Sequence, residues 1–188
     1  MSRLRLRSNR QVVDRCTALA HEVRSASGRT GADAVDAQWR GEALGTLLWT
    51  LGLAQLPPYD RACDTGAVLA VDATGGRLRE RDEIEVELEA ARLWHWRART
   101  TRIQSTGKVP LPGSYSSFDQ LVGATAMRGY EAGVLPAPLR GDFPAFGKVY
   151  RHLTAPQLGL ALSIAYERHY ALAWVCGLGE WDSLVLDT

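Results

Sequence analysis

Apolar residues recur every three to four positions through five stretches of the chain, a period that predicts helices rather than strands. From Asn9 to Ala26 the series is Val12, Cys16, Leu19, Ala20 and Val23, with Ser8 or Asn9 placed to cap the first turn. The loop-forming "SASGRTGAD" follows, and a second helix is expected from near Asp33 to Leu53. It stops before Pro57 and Pro58, which have no amide donors and whose rings clash with a preceding turn. Residues 79–99 predict a long helix striped by Ile84, Leu88 and Ala91. Its acidic residues cluster towards the N-terminal half and Arg92, Arg97 and Arg99 towards the end, as the macrodipole favours. A shorter helix runs from about Ser117 to Ala132 with Gly133 as its C-terminal cap, and the last from about Ala155 to Cys176.

The connections are long. Residues 59–79 read as irregular, with a short extended piece at "AVLAV", and Thr100–Ser116 as a loop. "VLPAPLRGDFPAFGKVY" is rich in Pro and Gly but holds Phe143 and Phe146, so it should pack on the body. The expected fold is mostly α: a single-domain helical bundle over 1–188, of about five helices with long irregular connections. Residues 1–8 form a flexible basic arm in this reading.

Charge and composition narrow the partners. The 188 residues carry a net charge of +1, with 46% hydrophobic and 23% charged, values ordinary for a globular protein. No overall basicity points to nucleic acid, and Arg3, Arg5, Arg7 and Arg10 read as a solvated arm before they read as phosphate contacts. No run of about 18 apolar residues suggests a membrane span. Cys16, Cys63 and Cys176 are odd in number and lack a CxxC spacing, which fits a reducing, cytoplasmic compartment.

Two helices carry a carboxylate on an apolar face. On the last helix Leu160, Ile164, Ala171 and Trp174 share one side with Glu167, and the helix is apolar nearly all round, so Glu167 is expected to be buried. On the second, Glu42 lies beside Thr46, Trp49 and Leu53. "EALGTLLWTLGL" from Glu42 and "ERHYALAWVCGL" from Glu167 align without a gap, sharing Glu, Leu, Trp, Gly and Leu. A buried carboxylate needs a partner, and Arg40, Arg97, Arg99 and Arg168 are the candidates, since a guanidinium pairs bidentately with a carboxylate. Two readings stay open: structural Arg–Glu pairs, or a polar pocket doing acid/base work.

Other chemistry finds little support. His21, His95, His152 and His169 show no metal-binding spacing, and no motif calls for a cofactor. His169 sits about 160° round the helix from Glu167. Nucleophile-elbow, dinucleotide and P-loop patterns are absent, Cys176 reads as a core thiol, and the tryptophans read as core anchors.

Three segments, "WRGEALGTLLWTLGL", "LRERDEIEVELEAARLWHWRAR" and "ERHYALAWVCGLGEWDSLVLDT", resemble the signature regions of an uncharacterised bacterial family, domain of unknown function 4272. The matching positions are Trp39, Arg40, Glu42, Ala43, Leu44 and Trp49, then Trp96 and Arg99. In the last segment they are Glu167, Arg168, Ala171, Leu172, Trp174, Trp181, Asp182, Asp187 and Thr188. Ala173 stands where the family usually has Asn, and the segment between the first two helices is short. The resemblance implies a mostly helical bacterial cytoplasmic protein and brings no established activity.

The resulting expectation is a non-enzymatic binding or interaction protein that recognises a protein partner. Its ion-pair network draws on Arg40, Glu42, Arg99, Glu167 and Arg168, framed by Trp49, Trp174, Trp181 and Asp182. The alternative is a small hydrolase with a polar pocket around Glu42 and Glu167, with His169 as a further catalytic candidate. Nucleic-acid binding through the N-terminal arm is the third and weakest reading.

Overall fold

The computed structural model describes residues 5–26, 32–106, 111, 113 and 115–186. Among the described residues six α-helices are formed: α1 (Asn9–Ala26), α2 (Ala32–Thr50), α3 (Thr65–Leu69), α4 (Arg81–Thr106), α5 (Phe118–Glu131) and α6 (Ala155–Val175). The five long ones begin close to where the apolar period places them, and all but α4 end close to it. Their caps are legible: Ser8 and Gln11 make a reciprocal capping box at α1, with Ser8 N–H donating to Gln11 Oε1 at 2.9 Å and Gln11 N–H to Ser8 Oγ at 3.3 Å. Ser117 Oγ accepts the Gln120 N–H at the head of α5.

Helix α6 is the axis of the bundle. It packs on α4 along one side and α2 along another, α1 covers α2, and α5 leans on α4. One continuous core joins Leu44, Leu47, Leu48 and Leu51 of α2 with Ile84 and Ala91 of α4 and Ile164, Ala171 and Leu172 of α6. Among the described residues no helix is long and apolar enough to cross a membrane.

The shared ending of α2 and α6 has a local cause. Gly52 and Gly177 both take φ of +72°, and each closes a Schellman turn. Gly52 N–H donates to Trp49 O and Leu53 N–H to Leu48 O, both at 2.9 Å; Gly177 and Leu178 repeat this with Trp174 O and Ala173 O at 2.9 and 3.0 Å. The Gly–Leu part of the echo between the two segments is therefore helix-stop chemistry. Gly133 ends α5 in the same way.

Three expectations need correction. "AVLAV" supplies not an extended piece but most of α3, nucleated by Asp64, whose Oδ1 accepts the Ala67 N–H at 3.0 Å. Helix α4 runs on through Thr100 to Thr106, because no Gly or Pro interrupts it there. The segment around Phe143 does pack on the body, but as a small hairpin of β1 (Pro144–Ala145) and β2 (Lys148–Val149). Its turn residues Phe146 and Gly147 have φ of 53° and 67°, the left-handed pair that a two-residue hairpin turn requires.

The described part of the N-terminal arm is tied down. Arg7 N–H donates to Val175 O at 2.8 Å, its guanidinium donates to Gly179 O at 2.8 Å and Glu180 Oε1 at 2.9 Å, and it lies 5.3 Å from the Trp174 ring centre. Arg7 is an anchor and not the solvated arginine expected from its sequence setting, whereas Arg5 and Arg10 are exposed. Arg3 lies outside the described residues, as do Asp187 and Thr188. The C-terminal segment packs back through Trp181, edge-on to Trp174 at 5.4 Å and Tyr170 at 5.2 Å, with Asp182 exposed beside it.

Candidate functional site

Glu42 of α2 and Arg168 of α6 meet at the centre of the bundle, 2% and 0% exposed. Arg168 Nε donates to Glu42 Oε1 at 2.7 Å, while Nη1 and Nη2 donate to the carbonyls of Pro57 and Arg61 at 2.6 and 3.3 Å. Glu42 Oε2 accepts the Cys63 N–H at 2.7 Å. The pair thus closes two helices around residues 57–63, a segment whose prolines prevent it from satisfying its own backbone. Burial alone lowers the Arg168 pKa, but Glu42, Tyr59 and Cys63 outweigh it and raise the net value. Burial, reinforced by Glu42, pushes the Cys63 thiol up to about 12.

The buried charged residue lies on the expected helix but one position further on. Glu167 was expected inside; Arg168, 100° further round, is the buried member, and Glu167 is half-exposed. Arg40 is not the partner of Glu42 either: it reaches outward to Glu22 on α1. Arg97 pairs with Asp142, which sequence reasoning missed because a single Asp in a Gly/Pro-rich loop gives no periodic signal. Arg97 Nε and Nη2 donate to the two Asp142 oxygens at 2.7 and 2.9 Å, and Asp142 also accepts the N–H groups of Phe143 and Arg151. That carboxylate holds the hairpin segment on α4. Trp49 and Trp174 each stack under an arginine, Arg79 at 4.9 Å and Arg7 at 5.3 Å.

His169 also has a partner that its sequence neighbours do not reveal. His95 of α4 faces it with Nδ1···Nδ1 at 3.1 Å, both rings buried. One Nδ1 donates and the other accepts, so at neutral pH the pair is two neutral rings of opposite tautomer. Burial lowers both to about 4, helped at His95 by Arg99 and at His169 by His95 and Arg92.

His95 forms part of the wall of a cleft of about 910 Å³ between α4, α6, the α2 residue Trp39 and the returning segment Leu184–Leu186. Trp39, Ile103, Leu162, Leu184 and Leu186 give it apolar walls. Arg99, Arg102, Ser163, Tyr166 and Glu167 give it polar ones. Arg99 and Arg102 lie one turn apart on α4, and Glu167 approaches from α6. Glu42 does not line this cleft, so the two glutamates expected to share a pocket serve different places. A smaller groove of about 530 Å³ between α4 and α5 has its arginines engaged, Arg92 by Glu89 at 2.6 and 2.7 Å and Arg128 by Tyr115 at 3.3 Å. Among the described residues no group of three His, Cys, Asp or Glu side chains is placed to hold a metal ion.

Comparison of the chain with protein-family models, with curated proteins and with solved structures gives no match in any of the three.

Proposed function

We propose that the protein is a non-enzymatic binding module that seats a ligand with an apolar body and an anionic head in the cleft between α4 and α6. The observation that carries this reading is the cleft's composition: apolar walls beside two guanidinium groups one helical turn apart. An apolar side chain beside a carboxylate on a protein partner offers the same chemistry as a free amphipathic acid.

The titrating groups favour binding over nucleophilic chemistry. Burial holds the thiols of Cys16, Cys63 and Cys176 near 12, so they stay protonated and poorly nucleophilic at neutral pH. Glu42 is committed to Arg168 and to the Cys63 amide. A hydrolase reading would need Glu167 to act without Glu42. All three thiols are free, which supports a reducing, cytoplasmic setting, and the resemblance to the bacterial family of unknown function supports the same placement.

The test uses anilinonaphthalenesulfonate, an apolar ring system with an anionic head. The native protein should bind it saturably at one site, and Ser163→Trp, which fills the cleft from α6, should abolish binding without moving the melting temperature. Peptides selected on the native protein should lose binding to the same variant if a partner segment is the ligand. Equal dye binding by Ser163→Trp, or none by the native protein, would overturn the proposal.

A further inference from the structure

Another cavity, of about 360 Å³, lies on a different flank of α4 from the cleft. Pro58, Pro136, Pro144, Tyr59 and Trp94 wall it, and Glu87 and Asp60 contribute to its lining. No lysine or arginine among the described residues lines it. This sets Glu87 apart from the buried carboxylates of Glu42 and Asp142, each of which has a guanidinium at 2.7 Å. Glu87 accepts a hydrogen bond from a neutral donor, the Tyr59 hydroxyl, at 2.7 Å. The cation that acts on it is Arg168, 4.6 Å from the centre of the Tyr59 ring and already committed to Glu42.

The result is a half-buried carboxylate whose desolvation is only partly offset. Burial pushes the Glu87 carboxyl group upward, and the Tyr59 hydrogen bond and the Arg168 charge oppose that push without cancelling it. A cation brought into the cavity would relieve the remainder. Among the lining side chains two carboxylates and the Tyr59 oxygen can accept, and the Trp94 indole N–H is the one donor besides the Tyr59 hydroxyl. Proline nitrogens carry no hydrogen, the Tyr59 hydroxyl has donated its proton but keeps its lone pairs, and Asp60 adds a second carboxylate. Asp60 Oδ2 accepts the Phe146 N–H at 2.6 Å, which fixes that carboxylate beside the hairpin turn. An ammonium has three donors and no acceptor, the complement of this lining. The proline and tryptophan surfaces suit an aliphatic stem behind it.

We propose that this cavity is a binding site for a primary alkylammonium group, held by the Glu87 carboxylate and the Tyr59 oxygen with its stem against the prolines. A free alkylamine and a lysine side chain of a partner present the same group. The site shares no lining residue with the α4–α6 cleft, so it stands or falls independently of that reading.

The experiment is an amide-resolved NMR titration of the full chain at constant ionic strength. The probes are n-butylammonium, the diamine cadaverine, a blocked lysine amide and n-butanol. The amines should move the signals of Tyr59, Glu87 and Ala90 and the Trp94 indole saturably, with n-butanol much weaker. Glu87→Gln should weaken amine binding about tenfold or more, the size of a lost charge-assisted hydrogen bond. The variant keeps the shape of the side chain and an acceptor for Tyr59, so it should fold. Should it not, Glu87→Asp, which withdraws the charge by one methylene, carries the test with a smaller loss. Binding by the lysine amide as well as the free amines assigns the site to a partner's side chain; binding by free amines alone assigns it to a small molecule. Equal affinity for n-butanol, undiminished amine binding by the folded Glu87 variant, or no saturable shift overturns the proposal.

Discussion

Glu42→Gln isolates what the central ion pair contributes. The substitution preserves volume and removes one charge from a pair whose side chains are each 1% exposed, so solvent cannot compensate. Arg168 keeps its bonds to the carbonyls of Pro57 and Arg61 but loses its counter-charge. The new amide faces a geometric conflict as well. Its oxygen can accept from Arg168 Nε or from the Cys63 N–H, and its NH2 group then confronts whichever donor is left. Removing one partner of a buried pair costs about 3–5 kcal/mol. At roughly 2–4 °C per kcal/mol for a domain of this size, the melting temperature should fall by about 6–20 °C. Urea melts followed by circular dichroism should show a lower midpoint with an unchanged slope. Glu167→Gln, on the same helix as Arg168 but half-exposed on the cleft, should change stability by no more than about 1 kcal/mol. Equal losses in the two variants, or a larger one at Glu167, would refute the assignment of Glu42 as the sealed member. Adding Arg168→Met to Glu42→Gln should restore much of the loss, because no uncompensated charge then remains.

The His95–His169 pair makes stability pH-dependent: both native pKa values lie near 4 and the unfolded value near 6.5, so the unfolded chain binds protons first. The stabilisation is complete above about pH 6.5 and declines as pH falls towards 4. Urea midpoints at pH 7 and pH 5 should differ in that sense, and a flat profile would contradict it. Asp142→Asn should cost about 3–5 kcal/mol by stranding Arg97, and hydrogen exchange should quicken across residues 139–153, which that carboxylate holds. Gly177→Ala should cost more than Gly52→Ala: both have φ of +72°, but a Cβ at 177 would stand 2.5 Å from Arg5 O, against 3.6 Å from Arg77 O at 52. Similar melting temperatures for the two alanine variants would show that residues 5–8 yield easily.

What the sequence made legible was what a period or a cap encodes. The five long helices follow from apolar spacing, the start of α1 from Ser8 and the end of α5 from Gly133, whereas α2 ends at Thr50 on the Gly52 turn, ahead of the prolines expected to stop it. Pairing across the fold was not legible, because nothing local distinguishes Arg168 from Arg40 as the partner of Glu42. The reading came within one residue at Glu167. A helix apolar nearly all round has no clear polar side, so the wheel could not choose between adjacent positions. His95 and Asp142 were hidden for a similar reason, since their partners lie 74 and 45 residues away. The cleft and the Glu87 cavity depend on the return of residues 184–186 and 134–144 across α4, which no short-range signal foretells.

The span between Glu42 and Arg168 has a consequence for the chain as it is made. The two lie 126 residues apart, and α6 is the surface on which both α2 and α4 close. At about 5–20 residues per second a ribosome needs roughly 6–25 s to travel from one to the other. Throughout that interval α1 covers only one side of α2, the side that packs on α6 stays open, and Glu42 has no counter-ion. The nascent protein therefore depends on α6 to become a folded one, and a chaperone that shields α2 before α6 is made should raise its yield more than one that acts afterwards.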